Sequence, residues 1–117
     1  MKLFNLIVII PIVIIIDMTL NKKIVLSKLT EVMDPELNIS IVDLGLIYDI
    51  KIIKNKVKII MTLTSVGCPL FSLIEIQIKD KVKELKVKNE NISLELTFDP
   101  PWSMDMMSKK AKAMLGI

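Results

Sequence analysis

Residues 46–69 read LIYDIKIIKNKVKIIMTLTSVGCP. Leu46 to Ile53 is rich in Ile with a single Tyr. Val57 to Thr64 alternates, with Val57, Ile59, Met61 and Leu63 on one face and Lys58, Ile60, Thr62 and Thr64 on the other. A period of two is that of a strand, so two strands are predicted. Lys54-Asn55-Lys56 between them is short enough for a hairpin turn, with Asn55 suited to a left-handed conformation. Ser65-Val66-Gly67-Cys68 then forms a loop. Pro69 opens a helix, since its missing N–H would find no partner in a first turn anyway. That helix runs to about Val87, with Phe71, Ile74, Ile78, Val82 and Leu85 as its apolar stripe.

On the N-terminal side, Leu20 to Met33 reads as a helix. Ile24, Leu26, Leu29, Val32 and Met33 roughly follow a 3.6 period, and Asn21 is available as a cap. Asp34-Pro35 ends it, because a residue before proline is pushed out of the helical region. Residues 36–45 form a loop closing at Asp43-Leu44-Gly45. On the C-terminal side a third strand, Ile92 to Phe98, is stopped by Asp99-Pro100-Pro101-Trp102, and a short helix from about Met106 to Leu115 ends at Gly116. The order α-β-β-α-β-α predicts an α/β (α+β) fold of two layers. The strand–helix–strand crossover places the third strand parallel to one hairpin strand in a mixed three-stranded sheet.

The 117 residues suffice for one domain, and with 52% apolar and 25% charged residues a folded globule is expected. The net charge is +3 and every basic residue is Lys. Without Arg the chain lacks the side chain best suited to bidentate phosphate contacts, so the basic excess reads as solvated Lys faces on helices. One cysteine, Cys68, and no histidine exclude an internal disulfide, a closed zinc site of several Cys or His ligands, and the Ser-His-Asp and Cys-His arrangements. No Gly-rich phosphate loop or Gly-x-x-Gly clamp is present, and aromatic residues make up only 4%.

Residues 1–17 differ from the rest. Leu3 to Ile16 is almost wholly apolar, broken by Asn5 and Pro11. As a helix it would span only ~21 Å, short of a bilayer core, and Pro11 weakens it further. Lys2 is a meagre start for a signal peptide, and no small-residue cleavage site follows. Three readings stay open: an extension that precedes a true start at Met18, a targeting or membrane-contacting segment, and an ordered part of the fold. The domain proper is expected to cover residues 18–117.

Four segments could carry chemistry. The first is Thr62 to Pro69. It sets the Cys68 thiol where a strand turns into a helix, and free backbone N–H groups and the helix dipole there favour a thiolate. A thiolate is the form that a metal or cluster takes as ligand. The alternative is a small buried hydrophobe, a common fate of a free cysteine. The second, Asp34-Pro35-Glu36-Leu37, offers two carboxylates beside a rigid proline, either for a metal or partner or simply as a helix stop. The third, Asp43-Leu44-Gly45, reads as an Asx-type turn or a functional acid. In the fourth, Asp99-Pro100-Pro101-Trp102, stiff prolines make Trp102 a lid over the core or an interaction surface. Met104, Met106, Met107 and Met114 read as packing filler rather than a metal set.

Asp34-Pro35-Glu36-Leu37, Ile41 to Tyr48, Met61 to Thr64 with Gly67-Cys68-Pro69, Asp99 to Trp102, and Met107-Ser108 to Leu115-Gly116 follow one another at compatible spacing. In this the chain resembles the SufT/PaaD-like metal–sulfur cluster assembly factors from Thr19 to Ile117. The resemblance implies a fold like the C-terminal scaffold domain of NifU proteins and a cytoplasmic accessory or carrier role in maturing iron–sulfur proteins. It implies a site at Cys68, the metal-contacting residue, supported by Thr64, Ser65 and Gly67, with Asp34, Glu36 and Asp43 nearby. Ser65 stands where the family often has Thr, and Val66 where it often has Pro. The chain lacks the Cys-rich tail of PaaD proteins, and its Gly-Cys-Pro and Asp-Pro-Pro-Trp strings resemble bacterial or archaeal members.

One thiolate cannot supply the four Cys ligands usual for a cluster. Cys68 is therefore expected to share a transient iron–sulfur cluster across a homodimer, to borrow small thiols, or to act on a scaffold or client protein. Two rival classes are a KH-like nucleic-acid module, suggested by the element order but poor in clamp, Arg and aromatic platforms, and a thiol enzyme using Cys68 as nucleophile. No nucleic-acid partner is expected, and membrane contact only through residues 1–17.

Overall fold

The structure, a computed structural model, describes residues 20–64, 69 and 71–117. The N-terminal apolar run, and Ser65, Gly67 and Cys68 among the expected site residues, lie outside the described residues.

Helix α1 covers Lys22–Leu29, and the expected cap is in place: the Asn21 side chain accepts from Ile24 N at 2.9 Å. The helix ends four residues before Met33, where its apolar spacing was expected to carry it. Thr30 turns its hydroxyl onto Ser27 O at 2.6 Å. Val32 and Met33 leave the helix because their backbone finds tertiary partners. Ile41 N donates to Val32 O at 3.0 Å, Asp34 N to Ile39 O at 2.9 Å, and Met33 bridges Ser40. Pairing across the loop, with Val32 fully buried, replaces the last helical turn.

Strands β1 (Ile47–Ile53) and β2 (Lys56–Met61) form the antiparallel hairpin, and β3 (Ile92–Leu96) lies parallel to β2, giving the mixed sheet order β1-β2-β3. In the turn it is Lys54, not Asn55, that takes the positive φ of 57°. Helix α2 (Phe71–Lys83) buries Ile74, Ile78 and Val82 and ends four residues short of Val87, where Lys86 adopts φ 69°. Helix α3 is shorter than expected, Lys109–Met114, preceded by a 3₁₀ turn at Met104–Met106. It closes on Gly116 (φ 75°), with Ile117 N on Lys112 O at 2.9 Å and Gly116 N on Ala113 O at 3.1 Å, so the predicted glycine stop holds.

One face of the sheet, carrying Ile50, Val57, Ile59, Met61 and Ile92, packs with α1 and α2 into the core; the opposite face carries Lys51, Lys58 and Glu95. Ile59, at the centre of the middle strand, is fully buried. Ile59→Ala is expected to cost about 2–5 kcal/mol, read as a fall in the denaturant midpoint at unchanged m-value.

The ends of α1 and α2 are tied by Lys28 Nζ on Glu84 at 2.7 Å and Lys81 Nζ on Glu31 at 3.0 Å. The Lys28 hydrogen bond holds the Glu84 carboxyl below its ordinary range, and Glu84 and Glu31 raise Lys28 and Lys81. A depressed folded-state carboxyl stabilises above its unfolded value, and that stability is lost as pH falls through the folded value. Glu84→Gln should therefore leave a slightly shallower acid-side fall of the melting temperature, with a small effect at neutral pH because the pair is exposed.

Candidate functional site

Because β2 and β3 are parallel and β1 antiparallel, the ends of β2 and β3 and the start of β1 lie at one end of the sheet. Ladder-like bonds continue there: Thr62 N donates to Leu46 O and Thr97 N to Met61 O, each at 2.8 Å. Thr62 and Leu63 are buried; Thr64 and Pro69, which flank residues 65–68 in sequence, are both exposed.

The Asp43-Leu44-Gly45 turn meets β2 at the same end. Leu44 N donates to Ser40 O at 2.9 Å, Gly45 N to Val42 O at 3.0 Å, and Leu46 N to Ile41 O at 3.0 Å. The side chain that caps this turn is Ser40, whose hydroxyl accepts from Val42 N at 3.1 Å; no Asx-type bond from Asp43 is present among the described residues. The Asp43 backbone carbonyl instead accepts from Ser108 N at 2.8 Å. Half-buried, Asp43 lines a hollow of about 190 Å³ with Thr30, Met33, Asn38, Ser40 and Lys110. Gly45 sits at φ 78°, and any Cβ there would collide with the Met106 carbonyl.

Asp34 behaves as a loop cap. Its Oδ1 accepts from Glu36 N at 2.8 Å and Leu37 N at 2.9 Å, and Asn38 N returns to Asp34 O at 2.8 Å with Asn38 at φ 56°. Glu36 is exposed and makes no ion pair among the described residues. Among the described residues no three or more His, Cys, Asp or Glu side chains are grouped to hold a metal ion, so Asp34, Glu36 and Asp43 do not form such a set.

The Asp99–Trp102 corner closes over the Asp43–Gly45 turn. Trp102 Nε1 donates to Leu44 O at 2.6 Å, and the indole packs on the core as a lid. Tyr48 OH donates to Pro100 O at 2.7 Å and lies 3.5 Å from Met106 Sδ. Two motifs far apart in sequence are thus one scaffold beside the end of the sheet. Ser40 and Tyr48 were not singled out from the sequence as members of it. Tyr48 stood in the Ile41–Tyr48 string that carries the family resemblance but had no role assigned to it, and Ser40 carried no local signal. Trp102→Phe keeps an aromatic ring but removes the donor to Leu44 O, an expected stability loss of about 1–2 kcal/mol, read from a fall in the denaturant midpoint.

A sequence profile of the iron–sulfur cluster assembly protein family matches residues 22–94. The Fe-S protein maturation auxiliary factor YitW of Bacillus subtilis is 41% identical over 98 residues, 82% of this chain and 94% of YitW. The Fe-S protein maturation auxiliary factor SufT of Staphylococcus aureus is 41% identical over 74% of this chain and 98% of its own length. A solved domain of unknown function from Bacillus anthracis superposes with a TM-score of 0.75 at 37% identity, covering 82% of this chain and 92% of that one. The chain belongs to the iron–sulfur cluster assembly protein family. No helix of the described residues is long and apolar enough to cross a membrane.

Proposed function

We propose that the protein is an accessory factor in the maturation of iron–sulfur proteins, and that it acts through the Cys68 thiolate on a transient cluster or on the scaffold and client proteins that hold one. The observation that carries the role is the match, at 41% identity, to nearly the whole length of two proteins named as Fe-S protein maturation auxiliary factors. The thiol reading draws support from position. Thr64 and Pro69, the described residues on either side of Cys68 in sequence, are exposed, and Thr64 follows β2 at the end of the sheet where the Gly45 turn and the Trp102 corner brace one another. The cluster is cargo in this reading, and the chain supplies one sulfur toward it. The other ligands come from a partner, a second copy or small thiols. Asp34, as a loop cap, shapes the neighbouring loop, and Asp43 stands in the turn that leads into β1 at that end of the sheet.

The test is a cluster-maturation reaction with an apo iron–sulfur enzyme, its scaffold, iron and sulfide under anaerobic conditions. Adding the protein should raise the rate or yield of active enzyme. A yield indistinguishable from that with an inert protein of similar charge would refute the accessory role.

A further inference from the structure

The second face of the sheet is uncovered among the described residues and carries a charge pattern that the thiol end does not use. Lys51 of β1 stands directly opposite Lys58 of β2, and Ile53 opposite Lys56. Like charges in direct cross-strand register repel. Glu95 offsets only part of this. It pairs with Lys58 at 2.7 Å, and Lys58 and then Lys51 hold its carboxyl below the ordinary range. Lys51, Lys54 and Lys56 make no ion pair among the described residues. Among them Ile53 is 69% exposed, and a hollow of about 720 Å³ crosses all three strands here, lined also by Asn91 and Ser93. Part of the basic excess expected on helices thus sits on the hairpin. It lies at the turn end of β2, roughly 17 Å of strand from Met61 at the other end.

We propose that this face of the hairpin is a docking surface for an acidic protein segment, held by Lys51, Lys56 and Lys58 around the apolar anchor Ile53. A protein fits better than a nucleic acid. Among the described residues the hollow is lined by no aromatic side chain for base stacking, the chain has no Arg, and Glu90 and Glu95 interrupt any continuous track for phosphates. Lys51 and Lys56, without an ion pair among the described residues, stand beside the exposed Ile53 and suit carboxylates flanking an apolar residue. The inference does not depend on Cys68: the surface lies at the turn end of the sheet, so a partner bound there leaves the opposite end free.

The experiment is an NMR titration of the full chain with a short peptide alternating Glu and Leu, at low and moderate salt. Shifts are expected at residues 51–58 and 90–95, weakening as salt rises. The double variant Lys51→Glu/Lys56→Glu should lose roughly tenfold in affinity. Its melting temperature should be unchanged or higher, since the carboxylate introduced at position 51 would face Lys58. Lys109→Glu/Lys110→Glu should bind as the parent does. No binding, equal binding by the hairpin variant, or equal shifts at Lys79, Lys81 and Lys83 would overturn the proposal. So would a single-stranded thymidine oligonucleotide that gives the same shifts at comparable affinity.

Discussion

Cys68→Ala is expected to lower the yield of active client enzyme in the maturation reaction by roughly tenfold or more, since even the outer-shell partners of metal ligands act on that scale. If the thiol serves a cluster or partner rather than filling the core, its melting temperature should stay within about 3 °C of the parent. The two readouts separate chemistry from folding. Anaerobic reconstitution with iron and sulfide should give visible charge-transfer absorbance with the parent chain and much less with Cys68→Ala. Cys68→Ser keeps the size of the side chain but replaces the soft thiolate by a hydroxyl and should behave like the alanine variant. Client activation by Cys68→Ala equal to that of the parent would remove the thiol from the mechanism while leaving the accessory role in place.

Gly45→Ala carries a large expected effect on stability. At φ 78° a non-glycine residue is strained by about 1–2 kcal/mol. The added Cβ also meets Met106 backbone, including its carbonyl carbon at 2.8 Å, and backbone cannot swing aside as a flexible side chain can. Relieving the contact pushes the Met104–Met106 turn away from the Asp43–Gly45 turn and loosens the neighbouring bonds from Trp102 to Leu44 and from Ser108 to Asp43. A total loss of about 3 kcal/mol or more is expected, a fall in melting temperature of about 10 °C or more. Gly116→Ala is the internal comparison. It has φ 75° but no atom within 4 Å of the added carbon, so only the conformational cost of about 1 kcal/mol remains. Equal losses at the two glycines would mean that the Met106 contact carries no weight.

If the Gly45 turn and the Trp102 lid position the residue 65–68 loop, Trp102→Phe should reduce client activation more than its modest stability loss explains, measured well below its melting temperature. Activation that simply tracks the folded fraction would make the corner structural only.

The sequence by itself determined the local elements and their order. Alternation over Val57–Thr64 fixes which side chains share a face, so Ile59 in the core and Lys58 opposite it were readable from period alone. Asn21 as cap and Gly116 as helix stop were equally readable, because each bond they make spans only a few residues. The acid pair at Asp34 and Glu36 was legible as a motif, and so was Cys68 as the lone thiol. Tertiary structure decided everything that depends on a partner distant in sequence: that β3 lies beside β2, that Val32 pairs with Ile41 instead of extending α1, that Lys54 and not Asn55 takes the left-handed turn position, and that Trp102 closes over Leu44. Propensity and spacing encode contacts along the chain. A hydrogen bond spanning 58 residues, such as that from Trp102 to Leu44, leaves no periodic trace, because its geometry exists only once the sheet has brought both ends together.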